Sequence, residues 1–367
     1  MPKRPILIQV CLVFFVLLAF GYFAYNTYLN MQARGLSSGF DFLQHPAGFS
    51  IIQTLIDYDE ASSYARVFLV GLLNTLLVSS MGIFFATILG FCVGIARLSS
   101  HPFIGALAAF FIEIVRNIPL LLQIFFWYFA ILRQLPAARQ SLSLFDAFYL
   151  NIRGFYVPAP DLSSFEVFLA CFFAIAFFLV FFIPKLSRSK KKLLNASIFV
   201  LFLFLLFSFN WSYPTLKGFN FKGGIAIIPE FLALLMALSI YTAAYIAEIV
   251  RSGILAVPKG QWEAAASLGL KKRTMMARVI LPQAMRLIIP PLTSQYLNLT
   301  KNSSLAAAIA YPDLVSVFAS TVLNHTGKAV EVIMMTMAVY LTLSLIIAAF
   351  MNIYNKKNLQ ADYKEAS

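Results

Sequence analysis

Residues 258–282 read Pro258-Lys-Gly-Gln-Trp-Glu-Ala-Ala-Ala-Ser-Leu-Gly-Leu-Lys-Lys-Arg-Thr-Met-Met-Ala-Arg-Val-Ile-Leu-Pro282, a polar, basic stretch in a chain that is otherwise nearly continuous hydrocarbon. Proline suits the first turn of a helix, where its missing N–H would have no partner anyway. Trp262, Ala265, Ala266 and Gly269 then recur at i, i+3, i+4 and i+7, which places them on one face of a short helix. Gly269 can stop that helix in the left-handed conformation. Lys271, Lys272 and Arg273 follow, and Leu281-Pro282 marks the return to apolar sequence. Apolar stretches of span length flank the segment on both sides, so it is a surface helix held between two membrane spans. Small residues let a partner approach closely, and Glu263 can pair with a cation across the contact. A plain interfacial loop would also be basic, and Glu263-Ala264-Ala265 alone does not separate the two.

Hydrophobic residues make up 60% of the chain and charged residues 12%, with a mean hydropathy of +0.82. A soluble domain carries roughly 25% charged residues. The composition therefore predicts an all-α, polytopic helical membrane protein. A β-barrel is excluded because its strands alternate, whereas runs such as 172–183 do not. The net charge of +13 does not point to nucleic acid, because the basic residues cluster in short segments beside apolar ones. The three cysteines, Cys11, Cys92 and Cys171, all fall in apolar runs and read as small buried hydrophobes.

Eight spans are expected, at 6–29, 67–96, 103–132, 165–184, 194–211, 231–250, 280–300 and 330–354. The first is too long for a signal-peptide core and reads as a retained anchor. Residues 1–64 then form an anchor with an extracytoplasmic segment, 65–355 the main membrane domain, and 356–367 a tail. An insertion at about 133–229 carries two of the spans. Placing the N-terminus inside makes the inner segments strongly basic and the outer ones nearly neutral, as the positive-inside bias requires. Both termini and the 258–282 helix then face the cytoplasm. Gly82, Ala86, Gly90 and Gly94 recur every four residues, a ridge on which another helix backbone can lie closely.

Charges within spans are costly and are usually functional or paired. Glu113 and Arg116 are three residues apart on one helix, and Pro119 frees a carbonyl one turn earlier. Glu248 and Arg251 repeat the spacing. Such groups either line a path for a zwitterion or form a structural ion-pair network, and the spacing leaves both open. Asn117, Gln123, Tyr245 and Asn74 are further path candidates. Asn298, Thr300, Lys301, Asn302, Ser303 and Ser304 interrupt apolar sequence, either as a broken helix lining a cavity or as the outer end of a span.

The pattern of Glu263, Ala264, Ala265, Gly269, Leu281 and Pro282 resembles the coupling loop of ABC-importer permeases, here at 253–282, with Val279 where isoleucine is usual. Gly71-Leu-Leu-Asn-Thr75, Arg116-Asn-Ile-Pro-Leu-Leu-Leu-Gln123, Tyr241-Thr-Ala-Ala-Tyr-Ile-Ala-Glu-Ile-Val-Arg-Ser-Gly253 and Asn302-Ser-Ser-Leu305 look like the polar amino-acid branch of that family. The extra anchor and insertion resemble its enlarged general L-amino-acid form. The resemblance implies a type I importer permease core in a bacterial inner membrane. It implies a non-identical second permease, an ATPase dimer docked on the coupling loop, and a periplasmic amino-acid-binding protein. ATP and Mg²⁺ would sit on the ATPase and no cofactor on this chain, which lacks GxxxxGK[ST]. The alternative is a self-contained secondary transporter or channel, which would favour matching broken helices in two halves. An intramembrane enzyme finds no support, since His45, His101 and His325 all fall in loops.

Overall fold

The computed structural model describes residues 4–33, 39–160, 194, 196–198, 210–218 and 220–363. The chain separates into two compact units, one of residues 1–124 with 234–367 and one of 125–233.

The first unit is helical. Its elements are α1 (Arg4–Ala33), α2 (Tyr64–Arg97), α3 (Pro102–Asn117), the start of α4 (Leu120–Phe125), most of α5 (Pro229–Leu255), α6 (Lys259–Ser267), α7 (Leu281–Asn302) and α8 (Ala329–Tyr363). Among the described residues four helices are long and apolar enough to cross a bilayer, at Ile8–Thr27, Tyr64–Arg97, Pro229–Leu255 and Ala329–Lys356. Pro102–Asn117 and Leu120–Gln134 qualify together as one sharply bent pair. α7 is less apolar, but at 22 residues it reaches about 33 Å, enough for a span. The expected spans at 165–184 and 194–211 lie almost wholly outside the described residues.

Pro119 explains the bend. Its ring cannot donate to the carbonyl of Val115, and the chain turns at Ile118. The Gln123 amide supplies the missing donor, reaching the Val115 oxygen at 2.8 Å and the Ile118 oxygen at 3.0 Å.

The small-residue ridge of α2 packs as its spacing predicts. A Cβ on Gly90 would lie 2.6 Å from Ile246, one on Gly94 2.7 Å from the Ala247 carbonyl, and one on Gly82 3.1 Å from Leu299. α2 therefore meets α5 at backbone distance and α7 through the Leu299 side chain, and Ala86 is fully buried. Gly253 closes the trio, since a Cβ there would strike Ile288 of α7. At the other end of α2, Phe42, Tyr64 and Val67 bury with Leu314, Phe318, Val322 and Val332, which docks the segment 39–63 on the helices.

Two features depart from expectation. Cys11 and Cys92 are exposed on their helices; apolar sequence in a span need not be buried in protein, because lipid is an equally apolar surrounding. Cys171 lies outside the described residues. The second unit also contains β-structure, in an insertion of which the sequence reading singled out only the two spans. Strands β1 (Leu142–Leu144), β2 (Phe148–Asn151), β3 (Gly154–Val157) and β8 (Ile225–Ile227) form an antiparallel sheet in the order β1-β2-β3-β8. The register aligns Leu142, Leu150, Phe155 and Ile227 across the four strands, with Tyr149 opposite Tyr156 on the other face. β4 (Ala159–Pro160) pairs with β5 (Trp211–Ser212), and β6 (Thr215–Lys217) with β7 (Asn220–Lys222).

Candidate coupling surface and polar strip

Pro258 caps α6 in extended conformation, and the helix runs for nine residues to Ser267. Its end is a Schellman motif. The Gly269 N–H donates to the Ala266 carbonyl at 2.9 Å and the Leu270 N–H to the Ala265 carbonyl at 3.3 Å. Gly269 has φ +69°, with open space where a Cβ would point. Backbone conformation, and not crowding, therefore demands glycine here.

The exposed face of α6 differs from the one the spacing predicts. Ala265 is buried and Trp262 half-buried, so these two turn toward the chain's own helices. Glu263, Ala264, Ala266, Ser267 and Gly269 are exposed, and the Leu268 side chain stands 79% exposed at the tip. Periodicity groups residues on a face but does not say which face looks inward. α6 is tied to α7 by the Gln283 Nε2 donating to the Gln261 Oε1 at 3.0 Å. A π-wound turn at Met276–Ile280 leads from the basic stretch into Leu281, half-buried, and Pro282, exposed. Beside it is an apolar cavity of about 340 Å³ lined by residues including Ile95, Ile104, Ile254, Met276 and Leu281.

Glu113, Arg116 and Asn117 stand exposed on α3. The structure places the Arg116 guanidinium 5.0 Å from the ring centre of Tyr245, whose hydroxyl is 3.2 Å from that of Tyr241. Among the described residues Glu113 has no ion pair with Arg116; the ion pair is Glu248 with Arg251, at 2.6 Å and doubly bonded through the Arg251 Nε. Its side chains are about one-third exposed. These groups make a polar strip on α3 and α5. Gln123 is buried and committed to the bend described above. Asn298 and Lys301 are exposed and Asn302 half-buried, while buried Ser303 donates to the Thr300 carbonyl. α7 continues to Asn302 before tightening into a 3₁₀ turn that ends at Ala310 in the left-handed conformation. The polar run is thus the end of a helix.

A buried knot takes in Asn74, a path candidate by sequence, together with groups the sequence reading did not single out. The Asn74 amide donates to the Gln53 and Pro312 carbonyls at 2.9 and 2.8 Å, and the Tyr311 hydroxyl donates to the Asn74 carbonyl. Thr75 accepts from the Leu314 N–H at 3.0 Å. Asp313, fully buried, accepts from the Ser316 N–H and from the Tyr340 hydroxyl. Burial pushes its carboxyl up to about 7, and these donors only partly oppose that rise. The available signal was a lone acid after an alanine run, at Ala310-Tyr-Pro-Asp313.

A short surface helix set between apolar helices of span length defines a helical membrane protein. The model of the binding-protein-dependent transport system inner membrane component family matches residues 165–359, and the chain belongs to that family. It is 51% identical to the putative amino-acid ABC transporter permease protein YhdX of Escherichia coli, over 96% of this chain and 94% of that protein. It is 43% identical to the general L-amino acid transport system permease protein AapQ of Rhizobium johnstonii, over 97% and 92%. The glutamate/glutamine/aspartate/asparagine transport system permease protein BztB of Rhodobacter capsulatus is 37% identical over 96% and 93%. The crystal structure of an amino acid ABC transporter with histidines shares the fold, with a TM-score of 0.50 at 23% identity, covering 80% of this chain and 95% of that one.

Proposed function

We propose that this chain is the membrane permease of an ATP-driven importer of L-amino acids, with residues 65–355 as its permease core and with a second, non-identical permease completing the path. An ATPase dimer holding ATP and Mg²⁺ docks on α6, and a periplasmic binding protein delivers the amino acid. Both termini and α6 lie on the cytoplasmic side of the inner membrane. The observation that carries this reading is the outward face of α6. A helix with a glycine-locked stop presents Glu263 and Leu268 to solvent while Gln261 and Gln283 tie it to α7. Load applied to that face reaches the membrane helices through the packing of Ala265 and Trp262, the Gln261–Gln283 hydrogen bond and the backbone that runs on through Met276–Ile280.

The exposed charges of α3 support the path. An arginine on a lipid-facing surface is costly, so Arg116 faces either the partner permease or the path. There it offers a cation beside two tyrosines, suited to a carboxylate.

Mild detergent extraction tests the assembly. A paralogous permease and an ATPase in a one-to-one-to-two ratio support the reading, which follows from a two-permease assembly. A chain that transports alone in proteoliposomes contradicts it.

A further inference from the structure

The four-stranded sheet has one face made entirely of apolar side chains. Leu142, Leu150, Phe155 and Ile227 cross it in one row, and Leu144, Phe148, Val157 and Ile225 share their side of the pleat. None of these residues is buried, and Leu142, Leu144 and Ile225 are more than half exposed. The opposite face is covered, because Phe221 of β7 packs on Tyr149 and Tyr156 at 4.7 and 4.6 Å. The β1–β2 turn is also exposed and apolar at Phe145. Phe145 and Asp146 both have positive φ, a conformation that bulky residues rarely adopt, and Phe145 is 85% exposed. A patch of this kind in water marks an interaction surface.

We propose that this face rests on the bilayer interface, so that the insertion forms an interfacial β-platform with phospholipid as its occupant. Chain continuity points to lipid. β5 begins at Trp211, the last residue of the apolar stretch 194–211, and β4 ends at Pro160, a few residues before the apolar stretch that starts at 165. The four-stranded sheet is joined to these stretches through β3, which leads into β4, and it is joined to α5 through β8, which ends two residues before Pro229. Charge agrees. Among the described residues of this unit Arg133, Arg139, Arg153, Lys217 and Lys222 outnumber Asp146 and Glu230, a basic excess that suits phosphate headgroups. Trp211 and Tyr213, both exposed, are the residue types that gather at the headgroup level.

The test uses the full-length chain with its partner subunits, its native cysteines replaced by serine, in vesicles of phosphatidylethanolamine and phosphatidylglycerol. Single cysteines at Leu144 and Ile225 on the face, and at Ser143 and Thr215 off it, carry a small fluorophore. Lipids with a nitroxide near the headgroup should quench the first pair several-fold more than the second, and aqueous iodide should show the reverse order. Equal iodide quenching at Leu144 and Ser143 would overturn the proposal. Protection of Leu144 from both quenchers would also overturn it, in favour of a protein occupant, whether a second copy or a binding protein. Leu142→Cys, at the first residue of the edge strand and on the same face, gives the same comparison if an internal strand substitution prevents assembly.

Discussion

At the scale of single residues, Gly269 and Asp313 have opposite histories. The glycine was legible because a helix stop leaves a local signature in spacing. The structure refines the reason, since no atom lies near its missing Cβ and the constraint is the positive φ alone. A β-branched residue in that conformation costs about 1–2 kcal/mol, whereas asparagine tolerates it. Gly269→Val should therefore abolish most uptake in a protein that still inserts, and Gly269→Asn should retain most of it. Equal uptake by both in vesicles would contradict the docking role of the loop. Asp313 was not legible, because Tyr340 and the Thr75 and Asn74 region reach it from distant parts of the chain. Its carboxyl, usually near 3.8, is raised to about 7 in the folded protein. A raised acid binds its proton more tightly when folded, so its stabilisation is full below about pH 4 and is lost as pH rises through about 7. The purified protein's Tm should fall across that window, and Asp313→Asn should flatten that fall. An unchanged slope in the variant would remove Asp313 as the cause.

At the scale of elements, what sequence carried well was packing by small residues. Gly82, Ala86, Gly90 and Gly94 lie within one helix, so their common face needs no knowledge of the partner. What it could not carry was the partner's identity, Ala243 to Val250 of α5. The span expected at 103–132 is bent at Pro119, where the sequence reading saw only a freed carbonyl, and the answering donor, Gln123, looked like a path residue. The sheet was missed because strands of three and four residues give too short an alternation to stand out beside spans of twenty. Its register depends on β8, which lies 68 residues after β3 ends. Overpacking a tight helix contact costs about 1–3 kcal/mol or more. Gly90→Leu should therefore lower the yield of assembled protein and its Tm, while Gly21→Leu, which meets open space, should change neither. Comparable loss from both would mean that α2 and α5 do not meet as described.

At the scale of the whole molecule, hydropathy was enough for the class because it is summed over long segments, and charge bias gives an orientation with both termini inside. They could not say which side of α6 looks outward, a matter of how one helix rests on others. The orientation has a direct check. Ser267 is exposed at the end of α6, and a cysteine there should resist an impermeant thiol reagent in intact cells and react in inverted vesicles. Labelling from outside would reverse the topology. The central claim, that the outward face of α6 is where an ATPase docks, is tested most directly by a photoreactive residue replacing Leu268 in cells. The predicted product is one adduct joining this chain to a P-loop ATPase subunit, absent when the same group replaces the buried Ala265. A complex that co-purifies yet gives no such adduct from Leu268, or an adduct to a different kind of protein, would contradict it.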